Sequence, residues 1–210
     1  MIVAHDSLVW TALPVGPAAP PLAAALAESA ARHKHVCPRQ VLGARMGLLG
    51  ARLLDIAVPD AGRRLLAFVE TDGCAADGVA AATGCTVGHR TLRVVDYGKV
   101  AATLVDARAG RAVRLVPRRE SRVLARRVAP QARSRWHAQL EAYQVMPDED
   151  LLGVQWVELT TSLNRLLSKP GVRAVCQACG EEIINERQVA RDGDILCRFC
   201  AGDGYYRSIE

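Results

Sequence analysis

The chain has 210 residues, half of them hydrophobic and 4% aromatic, with a net charge of +5. That length suits one medium domain with a small appendage, and aliphatic side chains and alanine must fill its core. The longest uncharged run, Ser7–Ala27, is interrupted by Pro14, Gly16, Pro17, Pro20 and Pro21, which argues against a continuous helix across a bilayer.

In chain order, residues 1–21 read as an irregular arm. Residues 22–34 are rich in Ala and Leu and predict a helix. Across 38–54, Val41, Leu42, Met46, Leu49 and Leu53 recur at helical spacing, and Pro38 suits a first helical position after Cys37. Leu65–Val69 is short and apolar, fit for a buried strand, and the Ala/Gly-rich run Cys74–Gly84 predicts a helix. Leu92–Val95, Val100–Val105 and Ala112–Val116 read as three further strands, with turn signals at Asp96–Gly98 and Ala109–Gly110. Helices are expected at 131–145 and 148–168, with Lys169–Gly171 as a linker. Helices, a strand meander, then helices predict an α+β core over 22–169, an antiparallel or mixed sheet with flanking helices. A small finger follows over 172–210.

No basic start precedes the first apolar residues, so a secretory signal is not expected and the protein reads as cytoplasmic. Disulfides are rare in that compartment, and paired cysteines there point to metal or catalysis. Cys176-x-x-Cys179 and Cys197-x-x-Cys200, separated by 17 residues, have the spacing of a zinc site. Four thiolates leave no open position, so this Zn²⁺ is structural; reduced or redox-active pairs are the alternative. From Val172 to Glu210, five arginines face seven acids, the wrong sign for phosphate binding.

A second group of donors lies in the core. Pro38 biases Cys37 towards extended geometry, which would align the side chains of His33, His35 and Cys37. Two imidazoles and a thiolate suit Zn²⁺ or another transition metal; the alternative is solvated helix-end histidines and a small core cysteine. Cys74 stands at a second expected helix start, with Asp77 in its first turn. Cys85 lies in a glycine-bounded turn, and Lys99 in the Asp96-Tyr97-Gly98-Lys99 turn.

These segments resemble the FmdE family, named for a component of formylmethanofuran dehydrogenase. The matching residues are His33-x-His35-x-Cys37-Pro38, Leu42-Gly43-x-Arg45-x-Gly47 and Glu70-Thr71-x-Gly73-Cys74-x-x-Asp77, then Gly84-Cys85-Thr86-x-Gly88 and Asp96-Tyr97-Gly98-Lys99. The chain departs from the family pattern at Arg39, Ala80 and His89–Thr91. The resemblance implies an α+β core in an intertwined homodimer, a metal-binding cleft lined by the motif residues, and a C-terminal treble-clef-like zinc module.

Two functions follow as expectations. In the first, a metal-dependent enzyme or metal-handling protein ligates a second ion through His35, Cys37 and Cys74, with His33 as a fourth ligand or base. Cys85 is then a reactive thiol or a further ligand, Lys99 holds an anionic group of an unknown small-molecule ligand, and Asp77 orients a ligand or the helix start. In the second, a regulatory protein binds nucleic acid or an acidic partner through ten arginines between 108 and 135, opposed by Glu120 alone. A solvated arginine face is the alternative to that patch. Trp136 and Trp156 read as core or dimer contacts.

Overall fold

The computed structural model describes residues 22–33, 35–60, 62–167 and 171–209; the expected N-terminal arm and Lys169–Pro170 of the expected linker lie outside the described residues. The chain divides into two units, Met1–Leu159 and Thr160–Glu210.

The larger unit opens with α1 (Leu22–His33) and α2 (Pro38–Leu53). Gln40 ties them together. Its Oε1 accepts from the Cys37 N–H at 2.6 Å, and its Nε2 donates to Ser29 Oγ of α1 at 2.9 Å, all of it buried. β1 (Leu65–Val69) leads into α3 (Cys74–Thr83), then β2 (Leu92–Val94), β3 (Ala102–Asp106) and β4 (Ala112–Pro117). α4 (Ser121–Val128), α5 (Arg135–Val145), the single turn α6 (Asp148–Leu151) and β5 (Leu152–Val157) complete the unit.

The five strands form one mixed sheet in the order β2-β1-β3-β4-β5. β1 and β2 are parallel and the other three pairings antiparallel. The α+β class therefore holds, but the strands are not a simple meander. α3 carries the chain from the end of β1 back to the start of β2, and a helical crossover of that kind makes its flanking strands parallel. In this sheet only β3 and β4 pair as consecutive antiparallel strands, and β5 joins the edge of β4 after three intervening helices.

The expected helix over 148–168 is also corrected. Only Asp148–Leu151 is helical at its start, and Leu152–Val157 is a strand paired to β4 from Pro117↔Leu152 to Ala112↔Val157. Gly153 weakens a helix, Val154 and Val157 favour a strand, and the open edge of β4 decides between them. α4 is not legible in the sequence, because arginines dominate it; Ser121 and Ala125, one turn apart, are its buried positions.

α2 lies between α3 and the sheet. An added Cβ at Gly43 would meet the Ala75 carbonyl oxygen at 2.1 Å, and one at Gly78 the Gln40 carbonyl oxygen at 2.3 Å. The two helices thus touch backbone to backbone. Contacts run from Gln40 with Gly78 to Gly47 with Thr83, so α2 and α3 are parallel and their N-termini share one end. Gly50 faces the other way, onto Leu104 and Leu115 of the sheet.

Ion pairs fix the periphery. Asp106, fully buried, accepts from Arg64 at 2.6 Å and from the backbone N–H groups of Arg108 and Ala109. Glu70 takes both prongs of Arg114 at 2.5 and 2.7 Å. Arg45 donates to the carbonyls of Tyr143 and Met146 and to Asp148, clamping the C-terminal end of α5.

The smaller unit contains α7 (Leu163–Leu167) and two hairpins, β6–β7 (Arg173–Val175, Glu182–Ile184) and β8–β9 (Val189–Arg191, Asp194–Leu196). Asp192 and Gly193 turn the second hairpin, both with positive φ (53° and 92°), the conformation of a tight two-residue turn. Among the described residues, no helix is long and apolar enough to cross a membrane.

Candidate functional site

In the smaller unit, each cysteine pair ends a strand. Cys176 follows β6, and the Gly180 N–H donates to the Cys176 carbonyl at 2.8 Å, with φ +75° at Gly180 closing the bend. Cys197 follows β9, and the Ala201 N–H donates to its carbonyl at 2.9 Å in the same way. The ligand atoms of Cys176, Cys179, Cys197 and Cys200 all lie within 4.8 Å of one another.

Backbone N–H groups of Cys197 and Cys179 lower the Cys176 thiol to about 6, while its thiol neighbours and burial push Cys200 up to about 12. Four sulfurs so close cannot all ionise by themselves. A cation among them removes the conflict, since a coordinated thiol is deprotonated. A tetrahedron of 2.3 Å bonds sets sulfurs about 3.8 Å apart, and Cys179 Sγ to Cys197 Sγ is 4.0 Å. The four cysteines fit one metal ion.

In the larger unit, a cavity of about 830 Å³ opens at the shared end of α2 and α3. Cys37 just before α2, Pro38, Arg39 and Leu42 of α2, and Cys74 of α3 form one side. Gly98 and Val100 come from the turn before β3; Pro117, Arg118, Arg119, Ser121 and Arg122 come from the β4–α4 junction; Trp136, Gln139 and Tyr143 come from α5.

Cys37 precedes α2 in extended geometry (φ −124°, ψ 161°), as Pro38 requires. Cys74 is the first residue of α3, entered through Gly73 at φ +81°, a value that glycine tolerates best. Both residues line the same side of the cavity. Burial, and then the Cys37 thiol, push the Cys74 thiol up, with the Arg39 charge opposing.

The remaining expected site residues fall around this pair. His33 Nε2 meets Asp77 Oδ2 at 2.6 Å, joining the end of α1 to the first turn of α3. His35 is exposed, its ring centroid 6.4 Å from that of His33. Neither histidine is among the described lining of the cavity. Lys99 is exposed between the lining residues Gly98 and Val100, its Nζ 5.9 Å from the Tyr97 ring centroid. Cys85 lies past the far end of α3 from Cys74, fully buried, its Sγ donating to the Leu65 carbonyl at 3.4 Å, and burial pushes its thiol up. Among the described residues, the C-terminal cysteines are the one group of three or more His, Cys, Asp or Glu side chains drawn together closely enough to hold an ion.

Sequence reasoning misses the far wall of the cavity. Arg118, Arg119 and Arg122 stand within the arginine-rich stretch with no assigned place, and Trp136, 43% exposed on the wall, reads in sequence as a packing residue. Tyr143 is 1% exposed, and burial pushes its phenol up, with Ser121 and Arg122 opposing. The available signal is the Pro117-Arg-Arg run closing a strand, which marks a sharp exit carrying two charges.

Residues 32–153 match the family model described as FmdE, molybdenum formylmethanofuran dehydrogenase operon. A protein of Archaeoglobus fulgidus named "Probable S-adenosyl-L-methionine-binding protein" is 30% identical over 195 residues, covering 82% of this chain and 51% of that protein. The chain thus spans about half the length of this curated relative. The crystal structure of a tungsten formylmethanofuran dehydrogenase FmdE-like protein from Syntrophus aciditrophicus superposes with a TM-score of 0.58 at 24% identity, over 89% of this chain and 95% of the other. That likeness is one of fold.

Proposed function

The chain belongs to the FmdE family, and on that premise we propose a metal-binding protein with two ions per chain. One is a structural Zn²⁺ held by Cys176, Cys179, Cys197 and Cys200. The other is Zn²⁺ or another transition metal on the cavity wall, with Cys37 and Cys74 as thiolate ligands and His35 as the imidazole donor nearest in sequence. In that position a divalent ion supplies Lewis acidity towards a carbonyl or a bound water. The His33–Asp77 pair is assigned to orientation and proton transfer beside the thiols, and Lys99 to an anionic group of a small molecule entering the cavity. Cys85, at the other end of α3, is assigned to packing. The reading covers a metal-dependent enzyme and a protein that handles metal and ligand without turnover. It also takes the protein as a cytoplasmic homodimer, in keeping with the family resemblance and seven unbridged cysteines.

One observation carries the reading. Cys37 and Cys74, at the starts of two separate helices, line one side of a cavity sized for a small molecule. The test is elemental analysis of protein purified without chelators. Wild type is expected to hold two ions per chain, and Cys74→Ser one, with an unchanged circular dichroism spectrum. A Cys74→Ser protein that keeps both ions overturns the core site.

The nucleic-acid reading of residues 108–135 has less support. Arg114 is engaged by Glu70, Arg111 donates to the Leu54 carbonyl, and Arg133 meets His137. S-adenosylmethionine binding, the activity in the relative's name, is a second reading. The cavity has the volume for it and Trp136 offers a face for an adenine, while the arginines suit its carboxylate and oppose its sulfonium.

A further inference from the structure

Four of the described residues lining the cavity are arginines, namely Arg39, Arg118, Arg119 and Arg122, and none is an aspartate or glutamate. Glu120, the acid within the 118–122 stretch, is exposed and outside the lining. Three of the four come from the β4–α4 junction, and the fourth stands at the start of α2, next to Cys37. Placing them together on one concave surface costs like-charge repulsion. The rest of the described lining carries no acidic side chain. Tyr143, Gln139, Ser121 and Trp136 are uncharged, and the nearby acids Glu70 and Asp77 are held by Arg114 and His33.

We infer that this cavity binds a small organic anion, through phosphate or carboxylate groups gripped by Arg39, Arg118, Arg119 and Arg122. Guanidinium forks match the planar carboxylate and the phosphate face with paired hydrogen bonds. The cavity's about 830 Å³ lies in the range of small-molecule sites. Trp136 gives the uncharged part of the ligand a flat apolar face beside the charged one. The anion bridges the two walls, from the thiol side at Arg39 to the α4 side at Arg119 and Arg122. The inference rests on the cavity being the working site, but not on its metal, because no proposed metal ligand is among the four arginines.

The test is isothermal titration calorimetry of the full-length protein with pyrophosphate, citrate and spermidine as probes, at fixed ionic strength. Wild type is expected to bind pyrophosphate or citrate saturably, one per chain, and the tighter of the two identifies the group recognised. Arg119→Glu, a change at an exposed side chain, is expected to weaken that binding at least tenfold. Arg126→Glu, on α4 outside the described lining, is expected to leave it within twofold. Equal losses in the two variants, no saturable binding of either anion, or tighter binding of spermidine each overturn the inference. So does competition by random-sequence duplex DNA with the same dependence on Arg119, which would assign the arginines to nucleic acid. Metal content is measured on the same samples. Anion binding that persists in a protein holding one ion per chain sustains the inference while removing the core metal; two ions without anion binding does the reverse.

Discussion

Replacing Gly43 by alanine tests how the fold builds the site. The new Cβ would stand 2.1 Å from the Ala75 carbonyl oxygen and 3.0 Å from the Val79 nitrogen, both backbone atoms of α3. Restoring ordinary contact at 3.4 Å moves one helix by about 1.3 Å (3.4 minus 2.1). Overpacking costs roughly 1–3 kcal/mol, and a clash with backbone belongs at the upper end. Alanine's better helix propensity returns about 1 kcal/mol. The net loss is about 2 kcal/mol, or about 4–8 °C in Tm for a unit of this size. Gly50→Ala is the control, because its Cβ meets only the side-chain ends of Leu104 and Leu115, at 2.8 and 3.0 Å, which can shift; its expected cost is under about 1 kcal/mol. Guanidinium unfolding followed by far-ultraviolet circular dichroism measures both. Because α2 and α3 carry Cys37 and Cys74, Gly43→Ala should also weaken retention of the core ion. A Gly43→Ala protein as stable as wild type, or less affected than Gly50→Ala, refutes the backbone-contact packing.

Two further predictions concern the other charged and metal-binding groups. The Asp106 carboxyl is lowered from 3.8 to about 2, chiefly by the Arg64 guanidinium. A depressed carboxylate stabilises the fold above its unfolded value, so this contribution is present above about pH 4 and is lost as pH falls towards 2. Arg64 is partly exposed, so the expected worth is roughly 1–2 kcal/mol; Asp106→Asn should lose it at pH 7 and flatten the stability profile between pH 4 and 2, and an unchanged profile contradicts the assignment. In the smaller unit, Cys197→Ser should remove one ion per chain and broaden the amide NMR signals of residues 171–209 while leaving those of the larger unit in place, since metal binding supplies on the order of 10 kcal/mol to such modules. Retention of dispersed signals from 171–209 would make the metal dispensable there.

Most of the architecture can be read from periodicity and punctuation. α2 is marked by its apolar spacing and Pro38, β1 by its unbroken Leu-Leu-Ala-Phe-Val run, and the C-terminal hairpin by Asp192-Gly193. What escapes depends on contacts distant in sequence. Leu152–Val157 becomes a strand only because β4 presents a free edge to it. Arg118, Arg119 and Arg122 become a cavity wall only because α5, held by the Arg45 clamp on its last turn, faces the start of α2. The shared wall of Cys37 and Cys74 is half visible, since both residues stand at helix starts, but the glycines that make those helices parallel and touching show their purpose only in three dimensions. His35, expected on one face with His33 and Cys37, stands exposed with its ring centroid 6.4 Å from that of His33.

The most direct measurement is an anomalous difference map from crystals of the protein grown without chelator or added metal, with data on both sides of the absorption edges found by fluorescence scan. Two peaks per chain are expected, one enclosed by the sulfurs of Cys176, Cys179, Cys197 and Cys200 and one at bonding distance from the sulfurs of Cys37 and Cys74. A peak at the four C-terminal cysteines alone, with nothing between Cys37 and Cys74, contradicts the core metal site.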